Sequence, residues 1–119
     1  MNVDNGLEKL VPPRKLCEKI PPGAFADSAL IWMFDGVDWW VNVREFDATY
    51  DEAYPAPTLA EIMADLARME LCPGVDMLVN IKGEICGRVE AGLRNVSFCG
   101  ESTPDEAALK LWLELRSEQ

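Results

Sequence analysis

The residues best placed to do chemistry in this sequence are acidic. Asp47, Asp51 and Glu52 cluster on one stretch, with Glu45 just before them. Oxygen ligands this close in sequence suit calcium or magnesium, although the spacing is not that of an EF-hand loop. The competing reading is a solvated acidic loop. A small metal-dependent enzyme centred on Asp47, Asp51 and Glu52 is therefore one expectation, and the weakest. Histidine is absent from all 119 residues, which removes Ser-His-Asp triads, Cys-His pairs and imidazole metal ligands. Neither a G-x-x-x-x-G-K-[ST] loop nor a G-x-G-x-x-G fingerprint occurs, so no phosphate cradle or dinucleotide site is indicated. No cofactor is expected, and no catalytic residue is assigned.

The four cysteines, Cys17, Cys72, Cys86 and Cys99, have no C-x-x-C spacing. Without histidine, a zinc site would need all four thiolates from four separate segments. Reduced, partly buried thiols are the expectation for a cytosolic chain. Cys72 stands near the end of a helix, which is the wrong pole for activating a thiolate.

Tryptophan is more informative than any of these. In Trp39 to Phe46, Trp39, Val41 and Val43 alternate with Trp40, Asn42 and Arg44. Adjacent strand residues face opposite ways, so Trp39 and Trp40 cannot both enter the core. With Trp39 inside, Trp40 lies on an open face with Asn42 and Arg44, joined from a second hairpin by Leu78, Asn80 and Arg88. Tryptophan and arginine among small polar groups are typical of binding hot spots. The alternatives are that the N-terminal segment folds back over Trp40, or that a one-residue slip inverts the faces.

The elements that must position these residues can be read in order. Residues 1–12 are expected to be a flexible leader, followed by a single domain over 13–119. A short helix is expected from Pro13 to about Lys19, stopped by Pro21-Pro22-Gly23. Residues 28–34 and 39–46 flank the Asp35-Gly36-Val37-Asp38 turn as a hairpin. Residues 47–57, with Pro55 and Pro57, read as an irregular loop unable to join a central strand. Thr58 and Glu61 form a capping box for a helix carrying Leu59, Ile62, Met63, Leu66 and Met69 on one stripe. A second hairpin spans Val75 to Ala91 around Lys82-Gly83-Glu84, and a short further strand is expected at 94–98. Thr103, Pro104 and Glu106 open the last helix, in which Leu109 and Leu113 lie off the main apolar stripe. The two halves share the order hairpin then capped helix. The expected fold class is α+β: one antiparallel sheet of four to five strands, two long helices on one face, and a short N-terminal helix.

Composition limits the partners. Twenty-one acidic against eleven basic residues give a net charge of −10. That field repels phosphate backbones and anionic membranes, and Arg44, Lys82 and Arg88 are too few for a basic groove. No apolar run reaches membrane-spanning length and no signal peptide is visible, so a cytoplasmic location is expected. The same charge admits a different function, an acidic inhibitor that imitates nucleic acid and occupies a host protein.

Four segments resemble a group of small uncharacterised proteins encoded by bacteriophages and prophages: Lys15 to Ile20, Ile31-Trp32 to Trp39-Trp40, Tyr54 to Glu61, and Glu106 to Leu115. The resemblance implies a cytosolic accessory protein of phage origin and says nothing about catalysis. Gly100 to Leu115 is also similar to the antitoxin half of some toxin–antitoxin pairs. The leading expectation is a non-enzymatic protein-binding module using its open sheet face. Its partner is another protein or a second copy in a homodimer.

Overall fold

The computed structural model describes residues 6–44 and 52–117. A 3-10 turn over Leu7–Leu10 leads into a one-turn helix, α1 (Arg14–Cys17). Strands β1 (Leu30–Phe34) and β2 (Trp39–Val43) form the first hairpin. Its turn is tied by Asp35, whose Oδ1 accepts from the backbone N–H groups of Val37 and Asp38, both at 2.8 Å. These bonds favour the ionised carboxylate and hold the Asp35 carboxyl below its usual range. A short third strand, β3 (Ala53–Pro55), pairs with the other side of β1.

Helix α2 (Leu59–Arg68) starts at the expected box: Glu61 N–H donates to Thr58 Oγ1 at 3.3 Å, and Thr58 N–H donates to Glu61 Oε1 at 2.8 Å. The second carboxylate oxygen of Glu61 accepts from Ala29 N–H at 3.1 Å, which ties this helix start to the chain entering β1. Strands β4 (Gly74–Val79), β5 (Ile85–Ala91) and β6 (Arg94–Cys99) follow, and α3 (Pro104–Ser117) closes the chain. Thr103 Oγ1 accepts from Glu106 N–H at 3.3 Å, the cap anticipated from the sequence.

The class is α+β, but the single sheet of four to five strands is not found. Two separate three-stranded antiparallel sheets form instead, ordered β2-β1-β3 and β4-β5-β6. Both sides of β1 are occupied, and β3 is only three residues long and ends in Pro55, which lacks an N–H for further pairing. The helices do not share one sheet face either. Helix α3 packs on β5 and β6, and α2 packs on α3.

The main core lies between α3 and the second sheet. Val89, Ala91 and Phe98 meet Ala107, Ala108, Leu111 and Trp112, while Ile62 and Leu66 approach from α2. Leu109, off the main stripe, is fully buried because α3 is covered on a second side. The Trp112 indole N–H donates to Asp65 Oδ2 at 2.6 Å and ties α3 to α2. Its ring meets Phe25, held at a left-handed φ of 54°, at a centroid distance of 4.7 Å.

A smaller core joins Val11, Leu30, Val41 and Ala56. Val11 is only 4% exposed, and the Pro12 carbonyl accepts from the Trp32 indole at 3.0 Å. Residues 7–12, expected in the leader, thus pack on the first sheet. They cover its Trp39–Val41 face, where the Arg14 guanidinium sits 4.8 Å over the Trp39 ring.

Candidate functional site

The six candidate binding residues do not form one surface, because the two hairpins belong to different sheets. Trp40, Asn42 and Arg44 sit on or just past β2. Trp40 is half-buried, and its indole nitrogen is buried with no acceptor among the described residues. Asn42 is exposed and turns its amide oxygen to Val43 N–H at 2.8 Å. Arg44 is committed to its own chain: Nε donates to Ser28 O at 2.8 Å and Nη2 to Ser28 Oγ at 3.1 Å. A tryptophan with its polar end inward beside an arginine already spent on Ser28 is poor material for a hot spot.

Leu78, Asn80 and Arg88 lie on the β4–β5 hairpin. Arg88 bridges Glu90 at 2.6 Å and Asp76 at 3.8 Å. Asn80 organises the turn: its Oδ1 accepts from Lys82 and Glu84 N–H at 2.9 and 3.0 Å, and its backbone N–H donates to Glu84 O. Gly83 supplies the left-handed residue, φ 81°, that this tight loop requires.

That hairpin also carries an exposed apolar surface on the side that faces the helices. Register pairs Val75 with Val89, Met77 with Gly87 and Val79 with Ile85, so all of these share the helix-facing side. Helix α3 lies over β5 and β6 and leaves the far end of β4 uncovered. Met77 is 62% exposed, Val79 67% and Ile85 54%; Ile81 at the turn is fully exposed, and Leu78 on the opposite side is 61% exposed. Exposed apolar residues scattered singly need no explanation, but a contiguous group does. Asn80 N–H bonds inward to Glu84, so the even-numbered residues of β4 bond to β5. The main-chain groups of Val75, Met77 and Val79 then point to the outer edge, where no strand of the described residues pairs. The sequence does hold a signal for this site: Met77 to Ile81 is an uncharged, mostly apolar run in a strongly acidic chain.

On the outer side of the same sheet, the expectation of four reduced thiols is corrected. Cys86 and Cys99 stand directly opposite on β5 and β6 and form a disulfide. Gly100 N–H bonds Ile85 O, so the Cys86–Cys99 pair falls between ladder bonds, where facing side chains approach most closely. Cys72 is free and exposed. Cys17 is free and fully buried, and its thiol is pushed up to about 12 by burial and by the nearby Asp105 carboxylate. A thiol so disfavoured as thiolate is an inert packing group.

Of the carboxylates considered for a metal, Glu52 is exposed next to β3, while Asp47 and Asp51 lie outside the described residues. Among the described residues, no group of three or more cysteine or acidic side chains converges as a metal site would. A concavity of about 570 Å³ lies between residues 22–28 and the helices, lined by Phe25, Glu61, Asp65, Arg68, Trp112 and Arg116. Its polar groups are largely engaged: Glu61 caps α2, Asp65 holds the Trp112 indole, and Arg116 lies 5.1 Å over the Trp112 ring. No helix among the described residues is long and apolar enough to cross a membrane. Comparison with protein-family models, curated proteins and solved structures finds no match.

Proposed function

We propose that this protein is a non-enzymatic binding module, of the accessory type its sequence resembles, whose contact surface is the tip and free edge of the β4–β5 hairpin. The observation that carries this reading is the coincidence of two features on one strand. Five large apolar side chains are more than half exposed around β4, and the outer edge of β4 offers main-chain donors and acceptors that no strand among the described residues pairs. An open edge recognises another extended chain through its backbone, and the flanking side chains give that pairing its selectivity. Leu78 keeps the role expected from the sequence, whereas Trp40, Asn42 and Arg44 pass out of the contact surface.

Paired variants test the reading. Val79→Lys and Met77→Lys place a charge on exposed positions of the edge and leave the core untouched. They are expected to abolish association with the protein's partner, while a Trp40→Ala, Arg44→Ala double variant that still folds retains it. The reverse pattern would return the contact surface to the first sheet.

A further inference from the structure

Resting on that reading, the geometry points to one occupant for the β4 edge: a second copy of this chain. An antiparallel two-fold through Met77 sets Met77 against the copy's Met77 and Val75 against the copy's Val79. Asp76, the one charged residue of β4, then faces the copy's Leu78 and not its own counterpart. All main-chain groups in that pairing belong to the odd-numbered residues that β5 leaves free. Because paired positions keep the same parity, both copies present the same face on the same side. The result is one continuous antiparallel sheet, ordered β6-β5-β4-β4-β5-β6, with both α3 helices above it.

The placement of α3 favours this occupant. Packed mainly on β5 and β6, the helix leaves Met77, Val79 and Ile85 exposed on the helix side of the sheet. In the pair, these three side chains of each copy lie together between the two α3 helices. The five exposed residues offer on the order of 600 Å² per copy, approaching the roughly 800 Å² per partner of a standard interface. Charge sets a distinctive signature. The contact itself is nearly uncharged, but each copy carries −10. Repulsion between copies is screened by salt, so self-pairing tightens as ionic strength rises. Pairing with a basic protein would weaken instead.

Sedimentation equilibrium on the full chain, at low and high salt, tests this. The expected result is a monomer–dimer equilibrium whose dissociation constant falls severalfold with added salt and rises at least tenfold in Val79→Lys. Hydrogen exchange supplies a readout independent of any variant: the Met77 and Val79 amides become protected as protein concentration rises. Wild type that stays monomeric at every concentration and salt overturns the proposal, as does a dimer that Val79→Lys leaves intact. A monomer that still binds a different protein through Val79 removes the second copy and keeps the binding edge. A monomer with no Val79-dependent binding removes both.

Discussion

Met77 and Gly87 face each other across β4 and β5, and only Met77 has a side chain to place there. The reason is steric. A Cβ on Gly87 would lie 1.8 Å from the Asp76 carbonyl oxygen and 3.0 Å from the Met77 Cα, so the backbone of β4 occupies that space. The close approach of β4 to β5 depends on glycine at position 87.

Gly87→Ala is therefore expected to push β4 away from β5. The cost should be about 1–3 kcal/mol, in the range of overpacked interiors. Gly83→Ala has open space around it and only its left-handed φ to oppose it, so about 1 kcal/mol is expected. Urea denaturation of both variants checks the order. Equal or reversed costs would mean that β4 can move aside freely.

Besides the apolar packing of Ile62 and Leu66, the Trp112 indole and Asp65 tie α2 to α3 by a hydrogen bond. Asp65→Ala leaves a buried N–H without its acceptor and should cost about 1.5–3 kcal/mol, as for hydrogen bonds to charged groups. Trp112→Phe opens a cavity of its own, but it should cost less in the Asp65→Ala background than in wild type, because the orphaned donor goes with the indole. A double-mutant cycle measures the coupling; a coupling near zero would mean that solvent replaces the bond.

Thiol counting tests the cysteine assignment. In folded, unreduced protein a thiol reagent should modify Cys72 alone. Unfolding without reductant should release Cys17 as a second site, and reduction should release Cys86 and Cys99. Four reactive thiols in unfolded, unreduced protein would contradict the pairing. A persistent disulfide of this kind belongs to oxidising surroundings, so the same count on freshly extracted protein reports on its compartment.

Asp105 sets a pH dependence. It is 6% exposed in the first turn of α3, and its Oδ2 has no partner among the described residues. Burial raises its carboxyl above the ordinary value of 3.8, opposed by the Thr103 hydroxyl and its own backbone N–H, with Glu106 adding to the rise. The folded state then binds this proton more tightly than the unfolded chain. Its contribution to stability is full below 3.8 and is lost as pH rises through the folded value. Asp105→Asn should remove that slope, gaining on wild type as the solution goes from acidic to neutral. Parallel pH profiles of the two proteins would contradict this.

Local grammar was legible in the sequence; long-range placement was not. The Thr58–Glu61 box, the threonine cap before Pro104, the two hairpins and the strand near residues 94–98 all follow from short-range chemistry, and all are present. The division into two sheets depends on which strands pair across long separations. Two hairpins with the same alternation carry no information on that. Ala53–Pro55 lies in a proline-rich stretch that reads as loop, and it becomes a strand only because β1 offers it an edge. The Cys86–Cys99 pair was readable in principle, since a hairpin centred on Gly92-Leu93 sets those two positions opposite. The exposure of Val79 and Ile85 is not legible for a different reason: alternation names the face, but the position of α3 decides how much of that face is covered.

Hydrogen exchange on the full chain, with and without its bound partner, distinguishes the β4 edge from the first sheet as the contact surface. New protection is expected on residues 75–81, strongest at the outward-pointing amides of Met77 and Val79, with residues 39–44 unchanged. Protection that falls on residues 39–44 and spares 75–81 would contradict it, and the Trp40 face would be the contact surface after all.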